Sequence, residues 1–334
     1  MPLVSSREIR LTSRPHGTPT AENFSLEETL LPALKDKQVL VRNLFMSVDP
    51  YMRGRMNDTE SYLPPFEVGK VMDGSAVGEV VESRSRHFKA GDAVVSNCGW
   101  REYFVASPKE LRKVRRHVHP LSVYLGALGM TGMTAWVGLR LAKIKAGDVV
   151  YISGAAGAVG SVAGQLAKAN GCRVIGSAGS PEKVHFLKEK CGLDLAFDYK
   201  DGSIRDQLGK AAPTGIDVYF DNVGGESLEA AISCMNVHGR IICCGAITGY
   251  NAEEPTPGPS NLALVIGKRL SLQGMLVRDW LEQRKKFEKQ MRKCLIAGNV
   301  KNTETVVTGI DHAVDAFLGL FAGRNTGKMV VALA

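Results

Sequence analysis

The residues best suited to chemistry form one short run, Gly154-Ala-Ala-Gly157-Ala-Val-Gly160. Small side chains let a turn's backbone close on a bulky anion. The N–H groups and dipole of a helix starting there then attract that anion. The pyrophosphate of a dinucleotide fits this description, with Ala155, Gly157, Ala158, Val159 and Gly160 as its cradle. Glycines also make tight packing turns, so the motif needs a strand before it and a helix after it. Val149–Ile152 is the short apolar run of a strand covered on both faces. Val159, Val162, Ala163, Leu166 and Ala167 recur at helical spacing.

The next strand, Arg173–Gly176, ends in Ser177-Ala-Gly-Ser180. Sites that prefer NAD place an acid against the ribose hydroxyls about 20 residues after the glycine turn. Here Gly179 and Ser180 occupy that corner, and Lys183 follows on the next helix. A missing carboxylate removes repulsion from a 2′-phosphate, and a lysine adds attraction. Tyr199, after the third strand, can add a hydrogen bond. The cofactor predicted is therefore NADP(H).

Other candidates carry less. His117-x-His119 has metal-ligand spacing but no third ligand, so no metal is assigned. Its basic surroundings, Arg112–Arg116, lack interleaved aromatics and any nucleic-acid-binding module, so no nucleic acid is expected. Glu282 to Lys293 reads as an exposed helix face. No Gly-x-Ser-x-Gly elbow supplies a hydrolase nucleophile.

The elements that must hold these residues divide near residue 125. Before it, Val39–Leu44, Val77–Glu82 and Ala93–Ser96 read as short strands, with Lys89-Ala-Gly-Asp92 a tight turn. After it, strand, turn and helix alternate. Ser180-Pro181 opens a helix that stops near Gly192. Further strands are expected at Ala196–Tyr199, Val218–Asp221, Arg240–Cys244 and Leu270–Val277. Asn251–Ser260, with three prolines, is a surface loop, and Asp279–Ala297 a long charged helix. This alternation implies a doubly wound parallel Rossmann sheet. The final β-rich stretch, Met329–Leu333, returns to the first domain.

Composition agrees with a globular chain of 334 residues with 44% apolar and 23% charged residues. The net charge, 42 − 34 = +8, favours anionic ligands without naming one. No apolar run approaches membrane-spanning length, and Met1 to Arg14 contains no signal-like apolar core, so no membrane is expected. Seven cysteines without a Cys-x-x-Cys read as reduced thiols of a cytoplasmic protein.

Over nearly its whole length the chain resembles the medium-chain dehydrogenase/reductases. It is most similar to their zinc-independent branch of leukotriene hydroxydehydrogenase/prostaglandin reductases, alkenal double-bond reductases and curcumin-type reductases. The matching strings are Met46-Ser-Val-Asp-Pro-Tyr-Met-Arg53, Leu128-Gly-Met-Thr-Gly-Met-Thr-Ala135, Ala155–Gly160, Gly179-Ser-Pro-Glu-Lys183, Phe220-Asp-Asn-Val-Gly-Gly225 and Cys244-Gly-Ala-Ile247. Where zinc alcohol dehydrogenases carry a ligand Cys and a Gly-His-Glu block, this chain reads Ser47-Val-Asp49 and Val68-Gly-Lys70.

The resemblance implies a barrel-like (GroES-like), mainly antiparallel catalytic domain from residues 1–125 and 304–334, and an NADPH-binding Rossmann domain from 126–303. It places Met130 and Thr134 near the nicotinamide, and Lys183 and Tyr199 at the 2′-phosphate. It also places Asn222, Cys244 and Asn325 along the cofactor, with Tyr250 and Leu276 at the nicotinamide end. Tyr51 and Tyr250 are the candidate catalytic helpers. The implied reaction is NADPH-dependent reduction of the C=C bond of an enone or enal, and the superfamily implies a homodimer. A zinc-free quinone reductase is the alternative enzyme. A low-turnover cofactor-binding sensor or nucleic-acid-binding protein is the alternative of another class.

Overall fold

The computed structural model describes residues 4–118 and 120–333; His119, half of the His-x-His pair, lies outside the described residues. The chain folds into two compact units. One contains the chain up to Leu125, Glu304–Asn325 and the residues from Met329 on; the other contains Gly126–Thr303 and Thr326–Lys328.

The first unit is built on antiparallel pairs. β1 (Ser5–Leu11) and β2 (Phe24–Leu30) form a hairpin with Leu11 opposite Phe24. β3 (Val39–Ser47) pairs with β4 (Ala76–Ser83), which pairs with β5 (Ala93–Ser96). β6 (Tyr103–Ala106) adds to β3, and β7 (Arg112–Lys113) adds to β5. β3 runs longer than its apolar stretch alone predicts. Its far end, Phe45–Ser47, has further partners that the sequence reading left out.

The second unit opens with α1 (Met130–Leu141), followed by β8 (Val149–Ile152), α2 (Ala158–Ala169), β9 (Arg173–Ala178) and α3 (Pro181–Glu189). Next come β10 (Leu195–Asp198), α4 (Ile204–Ala211), β11 (Ile216–Asp221), α5 (Gly225–Cys234) and β12 (Met235–Cys243). α6 (Ala263–Gly267), β13 (Ser271–Gly274) and α7 (Arg284–Ile296) complete it. The six strands lie in the order β10-β9-β8-β11-β12-β13. Every pair is parallel. Connections from β8 run outward in both directions, so the sheet is doubly wound with its switch point between β8 and β11. Tyr151, Ile175, Ile216, Tyr219 and Ile241 bury one of its faces. Tyr151 and Tyr219 stack there with ring centroids 5.0 Å apart.

After the second unit the chain supplies β14 (Glu304–Thr308), α8 (Ala313–Phe321) and β15 (Lys328–Ala332). β15 is antiparallel to β3, Val330 opposite Ser47, so the C-terminal stretch does rejoin the first sheet. α8 brings Phe317 against Trp100, centroids 5.9 Å apart, in a core shared with Met46, Met52 and Met72.

Two expected elements are shorter than read from the sequence. The strand expected over Leu270–Val277 is only β13: Met275 N–H makes one last bond to the Cys243 carbonyl (3.2 Å), and beyond it Asp279 N–H bonds back to the Leu276 carbonyl (3.2 Å). That i to i+3 bond belongs to a 3₁₀ helix, Val277–Gln283. The charged helix therefore begins at Arg284 and not at Asp279, where Phe287 and Met291 first give it a buried face. β10 starts at Leu195 and not at Ala196, and β12 begins well before the expected Arg240, at Met235. Among the described residues, no helix is long and apolar enough to cross a membrane.

Candidate cofactor site

Each of the six parallel strands ends in a turn, and the C-terminal ends lie on one edge of the sheet. In doubly wound sheets that edge, at the switch point, is where ligands bind. The glycine turn leaves β8 there. Gly154 takes a left-handed conformation (φ +56°), and Gly157 N–H closes the turn onto the Gly154 carbonyl (3.0 Å). Gly160 is required by contact. A methyl group there would sit 2.5 Å from the Gly154 oxygen and 2.7 Å from Ala155 Cα. Gly157 caps α2 in an extended conformation, and Ser161 N–H is bonded to its carbonyl (3.0 Å). Helix geometry leaves the N–H groups of Ala158, Val159 and Gly160 without a carbonyl of their own helix. Ala155 N–H reaches the Ser177 carbonyl (2.9 Å), and Gly327 N–H reaches the Ala156 carbonyl (2.8 Å), so the turn is held from both sides.

The β9–α3 corner carries no acid on its strand. The Ser180 hydroxyl accepts the Lys183 N–H (3.3 Å), the N-cap expected of Ser-Pro. Lys183 is half-buried, and its ammonium is pushed below the ordinary lysine range by burial first and by the charge of Lys200 second. Tyr199, after β10, lies on Gly179: a methyl group at Gly179 would meet its hydroxyl at 2.7 Å. Gly179, Ser180, Lys183 and Tyr199 therefore meet at one corner, as a 2′-phosphate pocket requires.

At the ends of β11 and β12 the organiser is Asp221, 2% exposed. Its Oδ1 accepts the Tyr219 hydroxyl (2.7 Å), the Ser153 hydroxyl (3.2 Å) and the N–H groups of Val223 (2.9 Å) and Gly224 (2.8 Å). Its carbonyl accepts the N–H groups of Cys244 (2.9 Å) and Gly245 (3.1 Å). Asn222 Nδ2 donates to the Ser153 carbonyl (2.8 Å). Asp221 thus holds the Val223–Gly224 turn through its carboxylate and Cys244 through its main-chain carbonyl, while Ser153 at the end of β8 holds Asn222. Burial, then Asp221 and Cys243, push the Cys244 thiol up to about 12, so it stays protonated and is no nucleophile. Tyr250 follows a 3₁₀ turn, its hydroxyl accepting the Ala246 N–H (3.4 Å), and burial raises its pKa above the ordinary phenol value. Leu276 stands just past β13, 38% exposed.

Met130 and Thr134 form the first turns of α1, where the Thr134 hydroxyl donates to the Met130 carbonyl (2.8 Å) and Arg284 donates to the Met130 sulfur (3.3 Å). Two expected residues belong to the other unit. Asn325 immediately precedes the Thr326–Lys328 segment. Tyr51 lies in a 3₁₀ helix, Pro50–Met56, against the Trp100 core. Burial, with the charges of Asp49 and Asp73, holds its phenol well above the ordinary range.

Two family profiles match the chain: the N-terminal domain of oxidoreductases over residues 7–114, and the profile described as zinc-binding dehydrogenase over 158–295. The NADPH-dependent curcumin reductase of Escherichia coli is 40% identical across 98% of this chain and 97% of its own. The 2-alkenal reductase (NADP(+)-dependent) of Nicotiana tabacum is 41% identical across 98% and 97%. The crystal structure of CurA from Vibrio vulnificus in complex with NADPH superposes with a TM-score of 0.94 at 39% identity, covering 98% of this chain and 99% of that one. The chain belongs to the zinc-independent branch of the medium-chain dehydrogenase/reductases.

Within this family, the stretches that carry zinc ligands elsewhere are spent on structure. Ser47 donates to the Asp49 carboxylate through a short bond, and Lys70 pairs with Glu67 (2.7 Å). Among the described residues, no group of three or more His, Cys, Asp or Glu is gathered to hold a metal. Asp221, Ser153 and Lys200 have no role legible from the sequence alone. Asp221 stood in the quoted Phe-Asp-Asn-Val-Gly-Gly string, but its partners come from three separate strand ends, which no local pattern reveals. Lys200 was legible only as the neighbour of Tyr199.

Proposed function

We propose that this chain reduces the C=C bond of α,β-unsaturated ketones and aldehydes with NADPH. It is an NADP-dependent oxidoreductase, and Lys183, Tyr199, Gly179 and Ser180 are the residues that would hold the cofactor's 2′-phosphate. The glycine turn would hold its pyrophosphate, and bound NADPH supplies a hydride. The observation that carries the reading is the residue set. The zinc-ligand stretches hold Ser47, Asp49, Val68 and Lys70, leaving no ligands for a Lewis acid that would stabilise an alkoxide. Hydride addition to the β-carbon instead spreads the charge over an enolate, which hydroxyl donors can meet. Tyr51 and Tyr250 are both held protonated by burial and are the donors we assign to that charge. The names of the curcumin and alkenal reductase relatives support this substrate class.

An enone incubated with NADPH deuterated at the transferable position should give the saturated ketone with deuterium on the β-carbon. An allylic alcohol labelled at the carbinol carbon, or turnover of quinones without turnover of enones, would overturn the reading.

A second copy of the chain is the macromolecular partner we propose. β13 is an edge strand with all four residues exposed, its N–H and C=O groups bonded on one side only. Leu272, Leu276 and Ile266 are exposed on the adjoining segments, Ile266 by 81%. Light scattering should give twice the chain mass, and Leu272→Lys should return it to one. The free thiols of all seven cysteines suit the reducing cytoplasm we propose as its compartment.

A further inference from the structure

The corner assigned to the 2′-phosphate contains a cation that the family reading does not use. Tyr199 is fixed twice: its N–H donates to the Ala178 carbonyl (3.0 Å), and its ring lies on Gly179, where a methyl group would come within 2.9 Å of Cζ and Cε1. The hydroxyl is therefore held over the strand-end position at which NAD-preferring sites keep an acid. Lys200 follows. Its N–H is bonded to Asp198 Oδ1 (3.0 Å), which turns the chain back, and its ammonium stands 5.9 Å from the centre of the Tyr199 ring. Lys183 rises to the same corner from the first turn of α3, its N–H held by Ser180.

The ammonium groups of Lys183 and Lys200 lie close enough to repel each other, and an anion between them would relieve that repulsion. The neighbouring carboxylates do not fill that role for Lys200, which makes no ion pair among the described residues. Asp198 is buried and accepts backbone N–H, and Glu182 is exposed and bonded to Ser180 and its own backbone. We propose that Lys200 is a second phosphate-binding cation, closing with Lys183 on the 2′-phosphate across the Tyr199 hydroxyl, and that it is a determinant of cofactor specificity. The inference rests on the NADP(H) reading of this corner. An exposed ammonium gives a weaker contact than the half-buried Lys183, so its effect is smaller but directed at the same group.

The test is calorimetric binding of adenosine 2′,5′-bisphosphate and of 5′-AMP to the whole protein. The unmutated chain should favour the bisphosphate. Lys200→Ala should weaken bisphosphate binding about tenfold. It should leave 5′-AMP within twofold, and Lys200→Arg should restore most of the loss. The Lys200→Ala deficit should also shrink as salt is raised, because the contact is exposed. An equal loss for both ligands, or none for either, overturns the role of Lys200 while leaving the NADP(H) reading intact. No preference for the bisphosphate in the unmutated chain overturns both.

Discussion

Single side chains here are tuned by burial more than by partners. Lys183 loses part of its proton affinity to its surroundings, which makes a phosphate the more valuable to it. Lys183→Ala should lower the NADPH-to-NADH ratio of kcat/KM about ten- to a hundredfold, as expected for loss of a charge-assisted contact to phosphate. Steady-state rates with the two cofactors measure it, and an unchanged ratio would place the phosphate elsewhere. The two tyrosines are separable in the same way. Tyr51→Phe and Tyr250→Phe each remove one hydroxyl without emptying the ring's space. A tyrosine that meets enolate charge should lose about a hundredfold in kcat. One that only lines the pocket should change KM alone.

At the scale of elements, the glycine turn is the least forgiving part. Gly160→Ala forces a methyl group onto backbone atoms at 2.5 and 2.7 Å, with no flexible side chain to yield. It should cost about 1–3 kcal/mol in denaturant unfolding and weaken cofactor binding, whereas Gly209→Ala, on open surface in α4, should do neither. This turn was plain in the sequence because its signal is local: three small residues between an apolar strand and an amphipathic helix. The Ser180 cap was readable for the same reason. What sequence did not reveal depends on partners distant along the chain. β1, β2, β6 and β14 are strands fixed by pairing, and β13 is cut short by a 3₁₀ turn that no composition rule marks. Lys183 and Tyr199 are each legible in the sequence, but the packing of Tyr199 on Gly179 depends on how β9 and β10 pair.

Across the whole molecule, buried thiols set an alkaline limit to stability. Burial raises Cys172 to about 11 and Cys191 to about 12, and both are nearly inaccessible. An unfolded thiol titrates near about 8.5. The folded state therefore holds these protons more tightly, and its advantage is full below the unfolded value. It is lost as pH climbs through 9 toward the folded values. The melting temperature under reducing conditions should be flat from pH 7 to about 8 and fall steadily above it. Cys191→Ala should lessen that slope, and a profile flat to pH 11 would show that these thiols ionise without penalty.

The bond from Gly327 N–H to the Ala156 carbonyl has a meaning for the order in which the protein is made. Ribosomes deliver the pyrophosphate turn early and its backbone partner about 170 residues later, after every strand of the parallel sheet has been made. A nascent chain can thus finish the doubly wound sheet while the turn still lacks one of its two supports. Full cofactor affinity should appear as a late event of synthesis, once the stretch around Gly327 has cleared the ribosome.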